Sequence, residues 1–272
     1  MKKILATLLL ALLATGAAFA AKTTEKFDFK ENFSTVTFTG FADITIVTDE
    51  NRSGHLEITY ENCEGYDKII EANVSFGSLN INTGYREQTS DAGRKKGDKQ
   101  KISIVLYVGS RLHTIVHNGI GDIRAKNFNA SAAFTVKMKG IGDFTCEKIH
   151  ALEFVLVSNG NGDFEAKSIQ VNNFEVNANG NGDVEIKEVG AKKAKINCNG
   201  TADVEIAKLE TGLLRVRNSG TGDIDIKDGS ATEINAQNSG TGDIEISSFK
   251  AGKIEASNKS GVGELKINKT TY

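Results

Sequence analysis

A Gly-x-Gly-Asp motif recurs every 20 or 21 residues through the second half of the chain. Complete copies begin at Gly119, Gly140, Gly160, Gly180, Gly220 and Gly240, and variant copies begin at Gly200 and Gly261. A fixed period of this length is typical of a solenoid, in which each coil contacts only its neighbours. The repeat therefore constrains the architecture much more than it constrains any chemistry.

Residues after each motif alternate between charged and apolar side chains, as in Asp183-Val184-Glu185-Ile186-Lys187. A period of two indicates a strand with one face in a core. A second alternating strand follows in each unit, for example at Leu214 and Val216. This pattern predicts an all-β fold, a single-stranded right-handed parallel β-helix (solenoid) with coils of about 20 residues. The right hand is expected because crossovers between parallel strands are overwhelmingly right-handed.

The glycines of the motif are predicted to be structural corner residues. We expect the turn between strands to need a positive φ, which Gly adopts without steric cost. Ala202 tests this interpretation, because Ala should be tolerated at the third motif position only where φ is negative. The predicted corner residues are Gly119, Gly121, Gly140, Gly142, Gly160, Gly162, Gly180, Gly182, Gly220, Gly222, Gly240 and Gly242.

The N-terminus is typical of a secretory signal peptide. Met1-Lys2-Lys3 is positively charged, residues 4–13 are apolar apart from Thr7, and Ala18-Phe19-Ala20 is a small-x-small cleavage site. The apolar run is too short to span a bilayer. We therefore expect residues 1–20 to be a signal peptide. The mature chain is then exported to the periplasm, the cell surface or the extracellular space, without a transmembrane segment.

Residues 21–272 are predicted to form a single β-helix domain, with less regular coils over 27–111 and regular Gly-x-Gly-Asp coils over 112–272. A polar excursion over 84–97 interrupts the less regular part. We expect it to be a solvated loop and not an anion site, because it does not match a phosphate-binding loop. Its basic cluster is Arg94, Lys95, Lys96, Lys99 and Lys101.

The ends of a solenoid expose unpaired strand edges, which need a cap. Residues 23–33, which include three phenylalanines, are expected to cover the first coil. The last coil shows no cap in the sequence. We expect this end either to be paired with another molecule, as in end-to-end self-association, or to be blunted by Glu264, Lys266 and Lys269.

Several of these segments carry a family resemblance. They are the signal peptide, Gly40-Phe41-Ala42-Asp43-Ile44-Thr45-Ile46, the strand Gly77-Ser78-Leu79-Asn80-Ile81 and the serial Gly-x-Gly-Asp corners. Together they resemble the putative auto-transporter adhesin head GIN domain family over roughly residues 33–268. The resemblance implies a secreted bacterial β-helix of Bacteroidetes-like organisms, with adhesion suggested and no catalytic residues to transfer. Only residues 267–272 follow the last repeat, so we do not expect self-export through a membrane barrel.

The fourth motif position places acidic residues in a file along the solenoid. In water, like charges ~4.8 Å apart repel by roughly 0.9 kcal/mol, so the file needs compensation. The favoured interpretation is that each Asp accepts hydrogen bonds from its own turn. The alternative is bound calcium, although the period does not match calcium-binding nonapeptide repeats. The calcium candidates are Asp163, Asp183, Asp203, Asp223 and Asp243, and no other cofactor is expected.

Uncharged polar residues also recur at the corner. Asn, Thr and Ser side chains before and within the motif are expected to form hydrogen-bonded ladders, along which a glycan or a peptide could lie. Asn218, Asn238 and Asn258 fall near an inward position and are expected to form a hydrogen-bonded buried ladder.

The predicted function is that of a secreted, non-enzymatic β-helix binding or adhesin-like module of the bacterial cell envelope. The alternatives are a polysaccharide-active β-helix enzyme, either a lyase or a hydrolase, and a purely structural envelope protein. The acids repeat on every coil, whereas a catalytic site breaks a repeat at one place. The expected partners are a surface glycan or an envelope protein. The net charge of −2 gives no reason to expect a nucleic acid.

Overall fold

The computed structural model describes residues 22–63, 66–87, 100–259 and 261–272. The predicted signal peptide and Arg94, Lys95, Lys96 and Lys99 of the basic cluster lie outside these residues. Within them the chain is a β-solenoid of about eight turns with coils of about 20 residues, which confirms the predicted fold class. The described residues include no helix that is long and apolar enough to cross a bilayer.

In chain order the first strands are β1 (Lys22–Asp28), β2 (Thr35–Gly40), β3 (Asp43–Thr48), β4 (His55–Glu61), β5 (Tyr66–Ser75), β6 (Ser78–Glu87), β7 (Lys101–Val108), β8 (Thr114–His117), β9 (Ile123–Asn129), β10 (Ala133–Met138) and β11 (Phe144–His150). The chain continues with β12 (Glu153–Ser158), β13 (Phe164–Gln170), β14 (Asn173–Ala178), β15 (Val184–Cys198), β16 (Val204–Asn218), β17 (Ile224–Ile226), β18 (Gly229–Asn238), β19 (Ile244–Ile246), β20 (Phe249–Asn258), β21 (Leu265–Ile267) and β22 (Thr270–Thr271). A short 3-10 helix spans Glu50–Arg52.

The regular coils pair in parallel with their equivalents one coil away. Stack A contains the strand segments that follow each corner: β3, β9, β11, β13, the first parts of β15 and β16, β17, β19 and β21. Stack B contains the segments that precede each corner: β2, β8, β10, β12, β14, the last parts of β15 and β16, β18 and β20. The register keeps equivalent residues opposite each other, as Ile196 and Val216 are. Each inward column is therefore continuous.

The core is filled by the alternating apolar residues. Phenylalanine rings stack inside the middle coils, with centroids 5.5 Å apart for Phe144 and Phe164. The first apolar residue after each motif is buried in every coil: Ile123, Phe144, Phe164, Val184, Val204, Ile224, Ile244 and Leu265. Period-two patterning thus identified the buried face correctly.

Residues 49–111 do not continue the coils in chain order, which differs from the serial coils expected there. The first coil, β2 and β3, has β8 and β9 on one side and β6 and β7 on the other. β5 runs antiparallel to β6, and β4 runs antiparallel to β7. The chain therefore leaves the first coil, builds a cap beyond it and returns to the opposite side.

A tight hairpin makes this reversal possible. Ser75 pairs with Ser78, so that only Phe76 and Gly77 form the loop between β5 and β6. Both loop residues have positive φ, 50° for Phe76 and 74° for Gly77. Two-residue hairpins favour this conformation because its twist matches that of the strands.

Stack A is covered by antiparallel strands at both ends. β1 pairs with β4. The N-terminal segment therefore covers the cap, whereas from the sequence it was expected to cover the first coil. β22 folds back on β21, and the Tyr272 N–H donates to the Leu265 carbonyl at 2.9 Å. Glu264 and Lys266 form an ion pair beside this turn. Stack B has no corresponding strand beyond β20 in the described residues.

Candidate functional site

The corners between stack B and stack A form a continuous ridge along the solenoid. We call the second motif residues the corner ridge: Phe41, Ile120, Ile141, Asn161, Asn181, Thr201, Thr221, Thr241 and Val262. Backbone hydrogen bonds join successive corners, for example from Asn181 N–H to the Gly160 carbonyl at 3.0 Å. The ridge therefore presents one side chain per coil on a rigid backbone.

Close approach between corners, and not φ, explains most of the corner glycines. Of the twelve predicted corner residues only Gly121 has a φ in the left-handed region, at 112°. A Cβ on Gly162 would lie 2.0 Å from the Gly142 carbonyl oxygen, and the other corner glycines show the same contact at 1.8–2.5 Å. The expected positive φ was therefore wrong for the rest. The φ of Ala202 is not positive, which agrees with the expectation that Ala is tolerated at this motif position only without a positive φ.

The aspartate file is compensated by the backbone of the adjacent coil. Each carboxylate accepts from the backbone N–H of the acidic residue one coil further on, and not from its own turn as expected. The N–Oδ1 distances are 3.2 Å to Asp122, 2.9 Å to Asp143, 2.8 Å to Asp163 and Asp183, and 2.7 Å to Asp203, Asp223 and Asp243. The file thus ties the coils together as a chain of charge-assisted hydrogen bonds.

Calcium binding by this file stays a prediction. The five candidates, Asp163 to Asp243, lie in single file, each with one carboxylate oxygen engaged by a backbone N–H. Among the residues that the structure describes, no group of three or more His, Cys, Asp or Glu side chains is arranged to hold a metal ion. The file is therefore accounted for by protein hydrogen bonds.

The expected polar ladders are present beside the aspartate file. The amide of Asn179 donates to Asn159 at 2.9 Å, and the amide of Asn199 donates to Asn179 at 2.9 Å. On the ridge itself, Asn181 donates to Asn161 at 3.2 Å and the Thr201 hydroxyl donates to Asn181 at 2.8 Å. These side chains are exposed, so the ladders offer a regular row of donors and acceptors to solvent.

The N-terminal end of the ridge is apolar. Phe41, Ile120 and Ile141 are 52%, 44% and 57% exposed. Tyr85 joins them from β6, with its ring centroid 6.4 Å from that of Phe41. We call these four residues the apolar end. The change from Asn and Thr to Ile within one column was visible in the sequence, but Tyr85 lies outside the repeat and was missed.

The buried asparagines bond to the corner backbone and not to one another. Asn218 Nδ2 donates to the carbonyls of Gly222 and Gly242 at 2.8 and 3.0 Å, and Asn218 Oδ1 accepts from Gly220 N–H at 3.0 Å. One coil further on, Asn238 Nδ2 donates to the carbonyls of Gly242 and Glu264 at 2.9 and 3.2 Å, and Asn238 Oδ1 accepts from Gly240 N–H at 3.1 Å. Asn258 is exposed, so only Asn218 and Asn238 are buried, and each is bonded to backbone groups where a ladder of side chains was expected.

His117 occupies the same inward column beneath the first regular corners. It is 1% exposed, and neither ring nitrogen has a hydrogen-bond partner. Burial lowers the pKa of His117 below its usual value, although Asp122, Asp143 and the carbonyls of Gly121 and Gly142 act in the opposite direction. The ring is therefore neutral inside the core at neutral pH.

Acid is expected to destabilise the protein through His117. The pKa of His117 is lower in the folded chain than in the unfolded chain. Its contribution to the free energy of unfolding is therefore fully present above about pH 6.5 and is lost as the pH falls. One such proton gives a slope of up to about 1.4 kcal/mol per pH unit. We expect His117→Met, which introduces the residue that the next coil carries, to reduce the loss between pH 7 and pH 5. Urea unfolding at both pH values measures it.

The exposed His150 supplies the matched control for this prediction. His150→Gln should leave the acid dependence as it is in the unmodified protein. An equal reduction in both variants would show that His117 is not the group responsible.

The comparisons with known proteins agree with this architecture. The family model described as "Putative auto-transporter adhesin, head GIN domain" matches residues 32–211 and 187–272. No curated protein matches the chain. A putative adhesin from Parabacteroides merdae has a TM-score of 0.63 and 17% identity, covering 90% of this chain and 95% of its own. A putative adhesin from Parabacteroides distasonis has a TM-score of 0.63 and 14% identity, covering 92% and 98%.

A third solved structure, a putative adhesin from Bacteroides fragilis, has a TM-score of 0.54 and 18% identity. It covers 91% of this chain and 97% of its own. At these identities the similarity establishes a common fold over nearly the whole chain.

Proposed function

Since the chain belongs to the auto-transporter adhesin head GIN domain family, we propose that it is a secreted, non-enzymatic, adhesin-like binding module of the bacterial cell envelope. The ligand that we propose is a neutral surface glycan lying along the corner ridge. The observation that carries this proposal is the continuity of the ridge, whose apolar end passes directly into amide and hydroxyl ladders.

The chemistry of the ridge suits a sugar chain. A pyranose ring presents an apolar C–H face and hydroxyl groups at its edge. The rings of Phe41 and Tyr85 and the side chains of Ile120 and Ile141 offer exposed apolar surface, which commonly marks a binding site. The Asn161 and Asn181 amides beside them offer both donors and acceptors. A glycan would use both kinds of group at once.

The charge beside the ridge narrows the class of ligand. The aspartate file runs parallel to the ridge on the same corners, with Asp143 and Asp183 exposed and Asp163 half-buried. A row of carboxylates repels polyanions such as nucleic acids and anionic membrane surfaces. This argument favours a neutral glycan over an acidic one.

The repetition of the site favours binding over catalysis. The same Asp-to-backbone hydrogen bond recurs from Asp122 to Asp243, so the carboxylates are in equivalent surroundings. A general acid and base need two carboxylates in different surroundings at one place. The regular file supports a linear binding surface and gives no support to the glycan-active enzyme.

The apolar end is expected to provide much of the affinity. We expect Ile120→Asn combined with Ile141→Asn to weaken glycan binding by roughly tenfold or more, because apolar surface is replaced by polar groups. Asn occupies the same column at Asn161 and Asn181, so the fold should be retained. An array of neutral polysaccharides identifies the ligand, and calorimetry on the best binder compares the variants.

Leu152 offers a matched control, because it is 55% exposed and lies away from the ridge. Leu152→Asn should leave binding unchanged. An equal loss in this variant would contradict the assignment to the ridge, and failure of the unmodified protein to bind any neutral polysaccharide would contradict the proposed ligand.

A further inference from the structure

Strand β20 is the last strand of stack B, and one of its edges is open. In the part of the chain that the structure describes, β20 pairs with β18 and with no other strand. At this edge, the backbone groups of its first residue, Phe249, are hydrogen-bonded to the Asn268 side chain. The Phe249 N–H donates to Asn268 Oδ1 at 2.8 Å, and Asn268 Nδ2 donates to the Phe249 carbonyl at 3.0 Å. The strand beyond Phe249 thus offers a row of backbone donors and acceptors that only another extended backbone matches.

The inner face of β20 is incompletely covered. Ile254 and Ala256 are partly exposed, whereas their equivalents one coil back, Ile234 and Ala236, are 0% and 1% exposed. In each of the preceding coils, the next stack B strand completes the burial of the equivalent residues. An added strand with apolar residues opposite Ile254 and Ala256 would bury them in the same way.

The end of stack A favours a single added strand over a second solenoid. β21 and β22 extend stack A past β20, and β1 extends stack A past β5 at the other end. Two copies placed end to end with their stack B edges in contact would therefore overlap in stack A. A lone strand meets no such obstacle.

The charges on β20 indicate what the added strand carries. Lys253 pairs with Glu255 of its own strand, with Nζ 2.5 Å from Oε1, and lies opposite Glu233 of β18, with Nζ 3.7 Å from Oε1. Opposite charges directly across a pair of strands stabilise it, whereas like charges destabilise it. An acidic residue opposite Lys253, followed by an apolar residue opposite Ile254, repeats the pattern of β18.

We propose that the open edge of β20 is a strand-addition site for an extended segment of another protein, with an acidic residue opposite Lys253 and apolar residues opposite Ile254 and Ala256. The added strand completes the last coil beside β21 and β22. This site is separate from the corner ridge, and its proposed ligand is a polypeptide.

The test uses a capped peptide with the sequence of residues 229–238, because β18 already pairs with β20 in parallel. Adding the peptide to the isotope-labelled mature protein at up to millimolar concentration is expected to shift the amide resonances of 249–258 and slow their hydrogen exchange. The Glu233→Lys peptide should bind several-fold more weakly. Lys253→Glu in the protein should restore its binding.

Three results would overturn the proposal. They are the absence of any shift at millimolar peptide, shifts away from β20 and its neighbours, and a charge swap without effect. Analytical ultracentrifugation of the protein alone tests whether a second copy of the chain occupies the edge instead. If the protein self-associates with concentration and protects the amides of 249–258, the occupant is a second copy, as in the end-to-end association expected from the sequence.

Discussion

Replacing Gly162 by Val should destabilise the protein by about 4 kcal/mol or more, and this is the largest effect that we expect from one substitution. The new Cβ would lie 2.0 Å from the Gly142 carbonyl oxygen, 2.5 Å from the Gly142 carbonyl carbon and 3.0 Å from the Ile141 carbonyl oxygen. These neighbours are backbone atoms, so no side-chain rotation relieves the contact. The corner must open, and the hydrogen bonds that join adjacent coils are lost. Urea unfolding followed by circular dichroism measures the change.

Ala202→Gly is the control in the same column, because Ala202 is the natural exception to the glycine pattern. It removes a buried methyl group and adds backbone freedom, so we expect a loss of about 1 kcal/mol. If Gly162→Val cost no more than this control, close approach would not explain the corner glycines.

The second large effect is expected from Phe154→Ala, with a loss of about 3–5 kcal/mol. Phe154 is fully buried, and its ring centroid lies 6.3 Å from that of Phe134, 6.1 Å from that of Phe174 and 5.8 Å from that of Phe164. Removing the ring leaves a cavity in the middle of a continuous column, where neighbouring coils are held in register and cannot collapse into it. Thermal and urea unfolding both report this loss.

Phe154→Leu keeps much of the volume and should cost less than about 1.5 kcal/mol. Equal destabilisation by Leu and Ala would mean that ring stacking, and not the cavity, dominates at this position. A loss below about 1 kcal/mol for Phe154→Ala would contradict both explanations.

The regular coils could be predicted from the sequence because each of their columns repeats one physical requirement. The alternation around Val184 and Ile186 specifies the buried face without any tertiary information. The corner glycines were recognised as structural, but residue type alone does not separate a positive φ from a close contact. Only the three-dimensional structure shows that Gly162 lies against the Gly142 carbonyl.

The cap could not be predicted in the same way. β4 alternates like the other strands, and alternation carries no information about strand direction. The hairpin at Phe76-Gly77 also lacks the Asn or Asp that usually marks such a turn. The candidate site was accessible in part, since Ile120 and Ile141 stand in a repeat column. Tyr85 reaches the site only through the pairing of β6 with β2.

The position of the first coil between the cap and the regular coils has a consequence for folding. β2 and β3 receive their partners on one side from β6 and β7, and on the other side from β8 and β9. Ile44 pairs with Ile123, which lies far along the chain, so loop closure must precede this contact. A chain that becomes available from its N-terminus onward therefore holds this coil incomplete until β8 and β9 are available. The ordering of the N-terminal third is then coupled to the arrival of β8 and β9, while the later coils add one at a time after them.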